Sequence, residues 1–200
     1  RRAATLTDDR REQLARANAL WETAQAFDSE QSVEQRLSKL RQAAAIQTEI
    51  LGRDHRQTAT RLLELASAEL DAGQIEHAYR HYSEGVVLRA ALLSDQHPET
   101  AAAKRLAAAA AWQTIRYGEA EQWLQEALQA EEHVFGAEHV HLAETLHSLA
   151  VLYHRMGRFA AALPFALDAC DRFRLREGAQ TANYANALRT LYVIYDELGQ

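Results

Sequence analysis

From Val140 to Met156, apolar residues fall at three- and four-residue steps: Leu142, Ala143, Leu146, Leu149, Ala150 and Tyr153. That spacing puts them on one face of a helix. Gly157 follows, and glycine readily takes the left-handed conformation that closes a helix. A second series, Phe159, Ala162, Phe165, Ala166, Ala169 and Cys170, predicts another helix. Two helices joined by so short a turn form an antiparallel hairpin. Small residues at Ala150, Ala162 and Ala169 let the two approach closely, where larger ones would strain the packing. The same reading predicts helices over about 7–29 and 32–50. Pro98 suits a first helical position, where a missing N–H costs nothing. Ser32 followed by Gln35 fits a capping box. Pro164 lies one turn inside a helix, and a mild kink is expected there because the apolar series runs through it.

The pattern repeats every 42 residues. That interval links His55, His97 and His139, and likewise Leu51, Leu93 and Phe135. It links Ala59, Ala101, Ala143 and Ala185, then Ala66, Ala108 and Ala150, then Ala78, Ala120 and Ala162. Gly85, Ala127 and Ala169 form a small column, and Ile75, Tyr117 and Phe159 a large apolar one. Gly73, Gly157 and Gly199 share a column in which Ile115 is the exception. A fixed period of this length is the mark of a solenoid. The expected organisation is one solenoid over 1–200, with units at about 9–50, 51–92, 93–134 and 135–176, and a half unit at 177–200. The first unit is degenerate: Leu20, Ala24, Leu40 and Ala43 keep their columns, but Arg36 replaces the alanine seen at Ala78.

Composition narrows the function classes. Apolar residues make up 48% of the chain, enough for a packed core. The net charge is -6 with signs interleaved and no basic run, which weighs against nucleic acid as a partner. Lys39 and Lys104 are the only lysines; arginine supplies the other cations. Cys170 stands alone within an apolar stretch and reads as a buried, inert thiol, which fits a cytoplasmic setting. No apolar run reaches the roughly 18 residues needed to span a membrane, and no signal-peptide pattern opens the chain. Arg1 in place of a methionine suggests a processed protein or an excised piece.

The chain has no Gly-rich phosphate loop, nucleophile elbow or HExxH motif, so no catalytic residue or cofactor site is expected. Glu131-Glu132 and Asp8-Asp9 are expected on solvated helix faces. His133, His139, His141, His147 and His154 cluster in sequence but lack the i, i+4 spacing of a helical zinc site, so no metal site is expected. Tyr82, Trp123, Phe165 and Phe173 match the helical period and are expected in the core, whereas Trp21 fits either core or groove.

These units resemble tetratricopeptide repeats of the 42-residue type found in kinesin light chains and in many bacterial regulatory proteins. The resemblance rests on Leu51-Gly52-Arg53-Asp54-His55, Leu93-Ser94-Asp95-Gln96-His97-Pro98 and Phe135-Gly136-Ala137-Glu138-His139. Leu149-Ala150-Val151-Leu152-Tyr153, Gly157-Arg158-Phe159 and Tyr117-Gly118-Glu119-Ala120 complete it. It covers Leu51 to Arg176 most fully. It implies an all-α fold, a right-handed superhelix of stacked antiparallel hairpins whose first helices line a concave groove. Such grooves hold an extended peptide or a helix of another protein.

Carried onto this chain, the resemblance puts Leu63, Arg105, His147 and Arg189 in one groove column and Leu70, Trp112, His154 and Asp196 in another. Asn186, Glu144, Gln113 and Arg155 flank them. Kinesin light chains place asparagines where this chain has Leu63-Glu64, Arg105-Leu106, His147-Ser148 and Arg189-Thr190, so their cargo specificity is not implied. The expected binding residues are Arg105, Trp112, His147, His154, Arg155, Asn186 and Arg189. A ladder of Arg105, His147 and Arg189 could receive an acidic peptide or a C-terminal carboxylate through charge-assisted hydrogen bonds, with Trp112 as an anchor. Equally, these could be solvated side chains paired with neighbouring acids such as Glu144.

The sequence stops at Gly199-Gln200 and leaves Leu188, Leu191, Tyr192, Tyr195 and Leu198 without a covering helix. Excision from a longer protein, pairing with a second copy, or packing back of the end helix would each account for this. The expected function is a non-catalytic protein- or peptide-binding scaffold within a larger regulatory or signalling protein. The alternative is self-association, as a homodimer, through that apolar edge.

Overall fold

The computed structural model describes residues 7–26, 33–178 and 180–199. Among the described residues every regular element is a helix: α1 (Asp8–Gln25), α2 (Val33–Leu51), α3 (Arg56–Asp71), α4 (Ile75–Leu93), α5 (Pro98–Gln113), α6 (Tyr117–Phe135), α7 (Ala143–Arg155), α8 (Phe159–Glu177) and α9 (Ala182–Glu197). Ser32 of the expected capping box, and the end of the helix expected over 7–29, lie outside them. The helices divide between two compact units, Arg1–Leu92 and Leu93–Gln200.

In the first unit, α1 packs on α2 and α2 on α3. Ala17, Trp21 and Ala24 meet Leu37, Leu40 and Ala43, with Leu65 and Ala68 of α3 closing the cluster. Trp21 is therefore a core residue, 3% exposed. Next along the chain, α3 and α4 touch where Leu63 lies over Gly85; a Cβ there would sit 2.5 Å from Leu63 Cδ2. In the second unit, α5 packs on α6, α7 on α8 and α8 on α9. Leu142, Ala143 and Leu146 meet Ala169, Cys170 and Phe173, and Ala187 of α9 joins them. Burial pushes the Cys170 thiol up to about 11, with the Asp171 charge adding to it, so the thiol stays protonated and inert.

The alanine columns explain the close approach. Ala59, Ala101 and Ala143 are buried, as are Ala66, Ala108 and Ala150, and Ala78, Ala120 and Ala162. An alanine buries little apolar area itself, but it brings two backbones near enough for dense dispersion contact. Ala185, the fourth member of the first column, is exposed, and among the described residues no helix packs on that side of α9.

Local chemistry sets the helix ends. His55, His97 and His139 each turn Nδ1 back to accept from a backbone N–H two residues on, of Gln57 (3.2 Å), Glu99 (3.2 Å) and His141 (3.3 Å). The histidine column is thus a column of N-caps. At His139 the capped segment opens as a 3-10 turn, Val140–Leu142, before α7 begins at Ala143. The turn column of Gly73, Gly157 and Gly199 has positive φ throughout, and Ile115 adopts φ +63° in the same place. A β-branched residue there costs about 1–2 kcal/mol, so hairpin closure overrides the local preference. Pro164 is exposed and α8 continues through it.

One pair of columns shows how the repeat varies. Glu69, Ala111 and Tyr153 occupy equivalent positions on the first helices of their hairpins; His81, Trp123 and Phe165 do so on the second helices. Tyr153 stacks on Phe165, with ring centroids 5.5 Å apart. At the matching place, Glu69 Oε2 lies 2.6 Å from His81 Nδ1. Arg41 of α2 reaches the other carboxylate oxygen at 2.8 Å. Burial, the largest single influence, raises the carboxyl of the fully buried Glu69, but the hydrogen bonds and charge interactions with His81 and Arg41 together outweigh it and hold the value below the ordinary one. An ion pair and an aromatic stack therefore serve the same helix–helix seam.

Candidate functional site

In the second unit, α5, α7 and α9 are the first helices of their hairpins, and α7 touches both of the others. Each leaves a half-exposed stripe at helical spacing: Arg105, Ala109 and Trp112 on α5, His147, Val151 and His154 on α7, and Arg189 and Val193 on α9. The packed sides of these helices are held by the alanine columns, and the stripe is what that packing leaves accessible.

Trp112 and Arg155 come together. The Arg155 guanidinium carbon lies 4.8 Å from the centroid of the Trp112 ring, a cation–π contact between the ends of neighbouring first helices. Trp112 is half-buried and Arg155 exposed. His154, on the same turn of α7, tilts against Phe159 at 5.6 Å.

His147, Asn186 and Arg189 form a second group. His147 Nε2 is 3.0 Å from Thr190 Oγ1, and its ring meets Phe173 edge-on at 6.2 Å. Burial, reinforced by the Arg189 charge, lowers the imidazole pKa, with a backbone hydrogen bond at Asn186 opposing. A neutral imidazole turned inward is a poor rung for a carboxylate. Arg189 is exposed and forms no ion pair with an acid among the described residues.

Arg105 is committed elsewhere. Its Nη2 lies 2.6 Å from Glu144 Oε2, and Arg176 Nη2 holds the other oxygen of that carboxylate at 3.1 Å. The expected ladder thus resolves into one paired arginine, one inward histidine and one exposed arginine.

Beneath Arg105 lies a residue that the sequence reading placed in solvent. Glu131 is 7% exposed, whereas its neighbour Glu132 is exposed as expected. Burial, with repulsion from Glu144, pushes its carboxyl up to about 7; Thr145 and the Arg105 charge oppose this. Glu131 Oε2, Thr145 Oγ1 and Arg105 Nε are all sealed from solvent, and none makes a hydrogen bond of good geometry, so Thr145 eases the Glu131 charge only weakly. The signal was present in the 42-residue register: Glu131 shares a column with Arg89 and Phe173, and all three are buried. Lys104 is a further buried charge, its Nζ 2.9 Å from Asp95 and 2.8 Å from Glu126.

His139 and His141 stack on each other with centroids 4.9 Å apart, and both rings lie against Phe135. Among the described residues no three His, Cys, Asp or Glu side chains are grouped to hold a metal ion, and no helix is long and apolar enough to cross a membrane.

A chain of helical hairpins with a repeated alanine seam belongs to the all-α solenoid class. Residues 99–175 match the family model described as tetratricopeptide repeat. Among solved structures, the TPR-like repeats of a Podosopora anserina protein described as a kinesin light chain align with a TM-score of 0.76 at 22% identity, over 94% of this chain and 89% of that one. A singly substituted form of the same repeats gives 0.73 at 21% identity, over 98% and 90%. BtubC (BKLC) from P. vanneervenii gives 0.66 at 18% identity, over 96% and 85%. At these identities the likeness is one of fold. The sequence matches no curated protein. Repeats of this kind generally serve as protein-interaction scaffolds, and the fold is typically non-catalytic.

Proposed function

We propose that this chain is a non-catalytic protein- or peptide-binding module of a larger regulatory or signalling protein, with its partner on the half-exposed stripe of α5, α7 and α9. The observation that carries this reading is the Trp112–Arg155 pair at 4.8 Å. Tryptophan and arginine are enriched at the energetic centres of interfaces, and here Arg155 is exposed beside a half-buried Trp112. Arg189 supplies an exposed cation on the same stripe, so a partner with an acidic group near its apolar anchor is favoured over a purely apolar one. Arg105 and His147 shape the floor. A peptide array probed with the native chain and with Trp112→Ala, Arg155→Ala and Arg189→Ala variants tests the assignment. Loss of the same bound sequences in the first two variants is expected; unchanged binding in both removes the site.

Self-association is the second reading, favoured by Tyr192 at 70% and Leu188 at 40% exposure on α9. Light scattering over a concentration series separates the two. A rise in mass abolished by Tyr192→Glu would support pairing through α9.

A further inference from the structure

Gln47 on α2 is 4% exposed, and its amide forms no hydrogen bond with any described residue. A carboxamide carries paired donors and acceptors, and burial without partners is unfavourable for both. The part of Gln47 still accessible opens into a cavity of about 300 Å³ within the first unit, walled by Asn18 of α1 and by Arg56, Gln57, Thr60, Arg61 and Glu64 of α3. The charged members of that wall are occupied, Arg56 among them. Arg61 is 2.9 Å from Glu64 and lies over the Trp21 ring at 4.4 Å. Thr60 Oγ1 donates to the Arg56 carbonyl and accepts from Arg89. The groups left for a ligand are the amides of Asn18, Gln47 and Gln57.

The geometry points to this cavity as a second contact site that takes the main chain of an extended segment from a partner protein. A peptide unit offers one acceptor and one donor in a plane, which matches the buried amide of Gln47. A helix offers nothing comparable, because its main-chain groups are already paired internally. A small anion fits poorly, since Arg61 is held by Glu64 and Arg56 is engaged as well. The cavity is at the small end of ligand pockets, roughly 300–1,000 Å³, so it accepts a short stretch of chain. The inference rests on the proposed binding role but uses other residues, so each can fail alone.

The test is a titration of the full chain, with glutamine side chains labelled with nitrogen-15, with millimolar N-acetyl tetra-alanine amide. This probe presents only main-chain groups. Saturable movement of the Gln47 side-chain signals is expected, with affinity falling at least tenfold in Gln47→Met. Gln57→Ala, at an exposed position, gives a second variant with a smaller fall should Gln47→Met fold poorly. Absence of movement at Gln47, equal affinity in the variants, or movement only with N-acetyl tetraglutamate would each overturn the proposal. Loss of movement here with binding retained at Trp112 and Arg155 would leave the proposed function standing.

Discussion

Replacing Glu131 by glutamine changes how the second unit responds to pH. Burial raises this carboxyl from an ordinary 4.5 to about 7. Folding therefore strengthens its hold on a proton. Its stabilising contribution is complete below the unfolded value and disappears as pH climbs through about 7. At about 1.36 kcal/mol per pH unit, that displacement is worth about 3 kcal/mol between the two limits. The groups facing Glu131 are Arg105 of α5 and Glu144 and Thr145 of α7, with Arg176 of α8 holding Glu144. Glutamine keeps the shape but cannot ionise. Amide hydrogen exchange across α5, α6 and α7, measured from about pH 5 to about pH 8.5 with intrinsic rates corrected, reads the local opening free energy. The native chain should lose about 3 kcal/mol relative to Glu131→Gln over this interval, with the two alike at the acid end. His147 acts in the opposite sense, since its lowered value gives stability that is lost on acidification. It is present in both proteins and cancels in the difference. Parallel profiles would refute the reasoning, because they would show that Glu131 reaches water or a partner in its charged form.

Three other perturbations follow from the packing. Ile115→Gly should raise stability by about 1 kcal/mol in urea melts, because the residue is 75% exposed and sits at φ +63°; a loss would mean the isoleucine side chain contributes packing. Gly85→Ala sets about 1 kcal/mol of helix propensity against roughly 1–3 kcal/mol of overpacking on Leu63. The net loss should shrink when Leu63 is also reduced to alanine, as a double-mutant cycle will report. Glu69→Ala should cost about 3 kcal/mol, since it leaves Arg41 and His81 without their buried partner. It should also flatten the acid limb, because a carboxyl held below its ordinary value gives stability that is present above 4.5 and lost as pH falls below it.

The helices and the alanine seam were legible in the sequence because a repeat multiplies weak signals. Ala59 alone says little, but Ala59, Ala101 and Ala143 at one interval define a seam. The chemistry was less legible because it varies between copies. Nothing in the composition of α3 says that Glu69 is fully buried; only its match to Ala111 and Tyr153 does. Glu131 was placed in solvent for the same reason: the local pattern Glu131-Glu132 outweighed the match to Phe173. The arginine ladder was readable as a column, but column membership does not say which acid each arginine meets. Glu144 takes Arg105 because α7 brings that carboxylate against α5, a fact of the tertiary arrangement.

The imidazoles that begin three of the helices have a collective property. Nδ1 of His55, His97 and His139 can accept from the backbone only while it keeps its lone pair. Replacing such an imidazole by a side chain without an acceptor leaves a first-turn N–H unpaired. Because the same joint recurs in successive copies, losing this cap chemistry is felt once for every repeat that carries it, a sum that no single copy reveals.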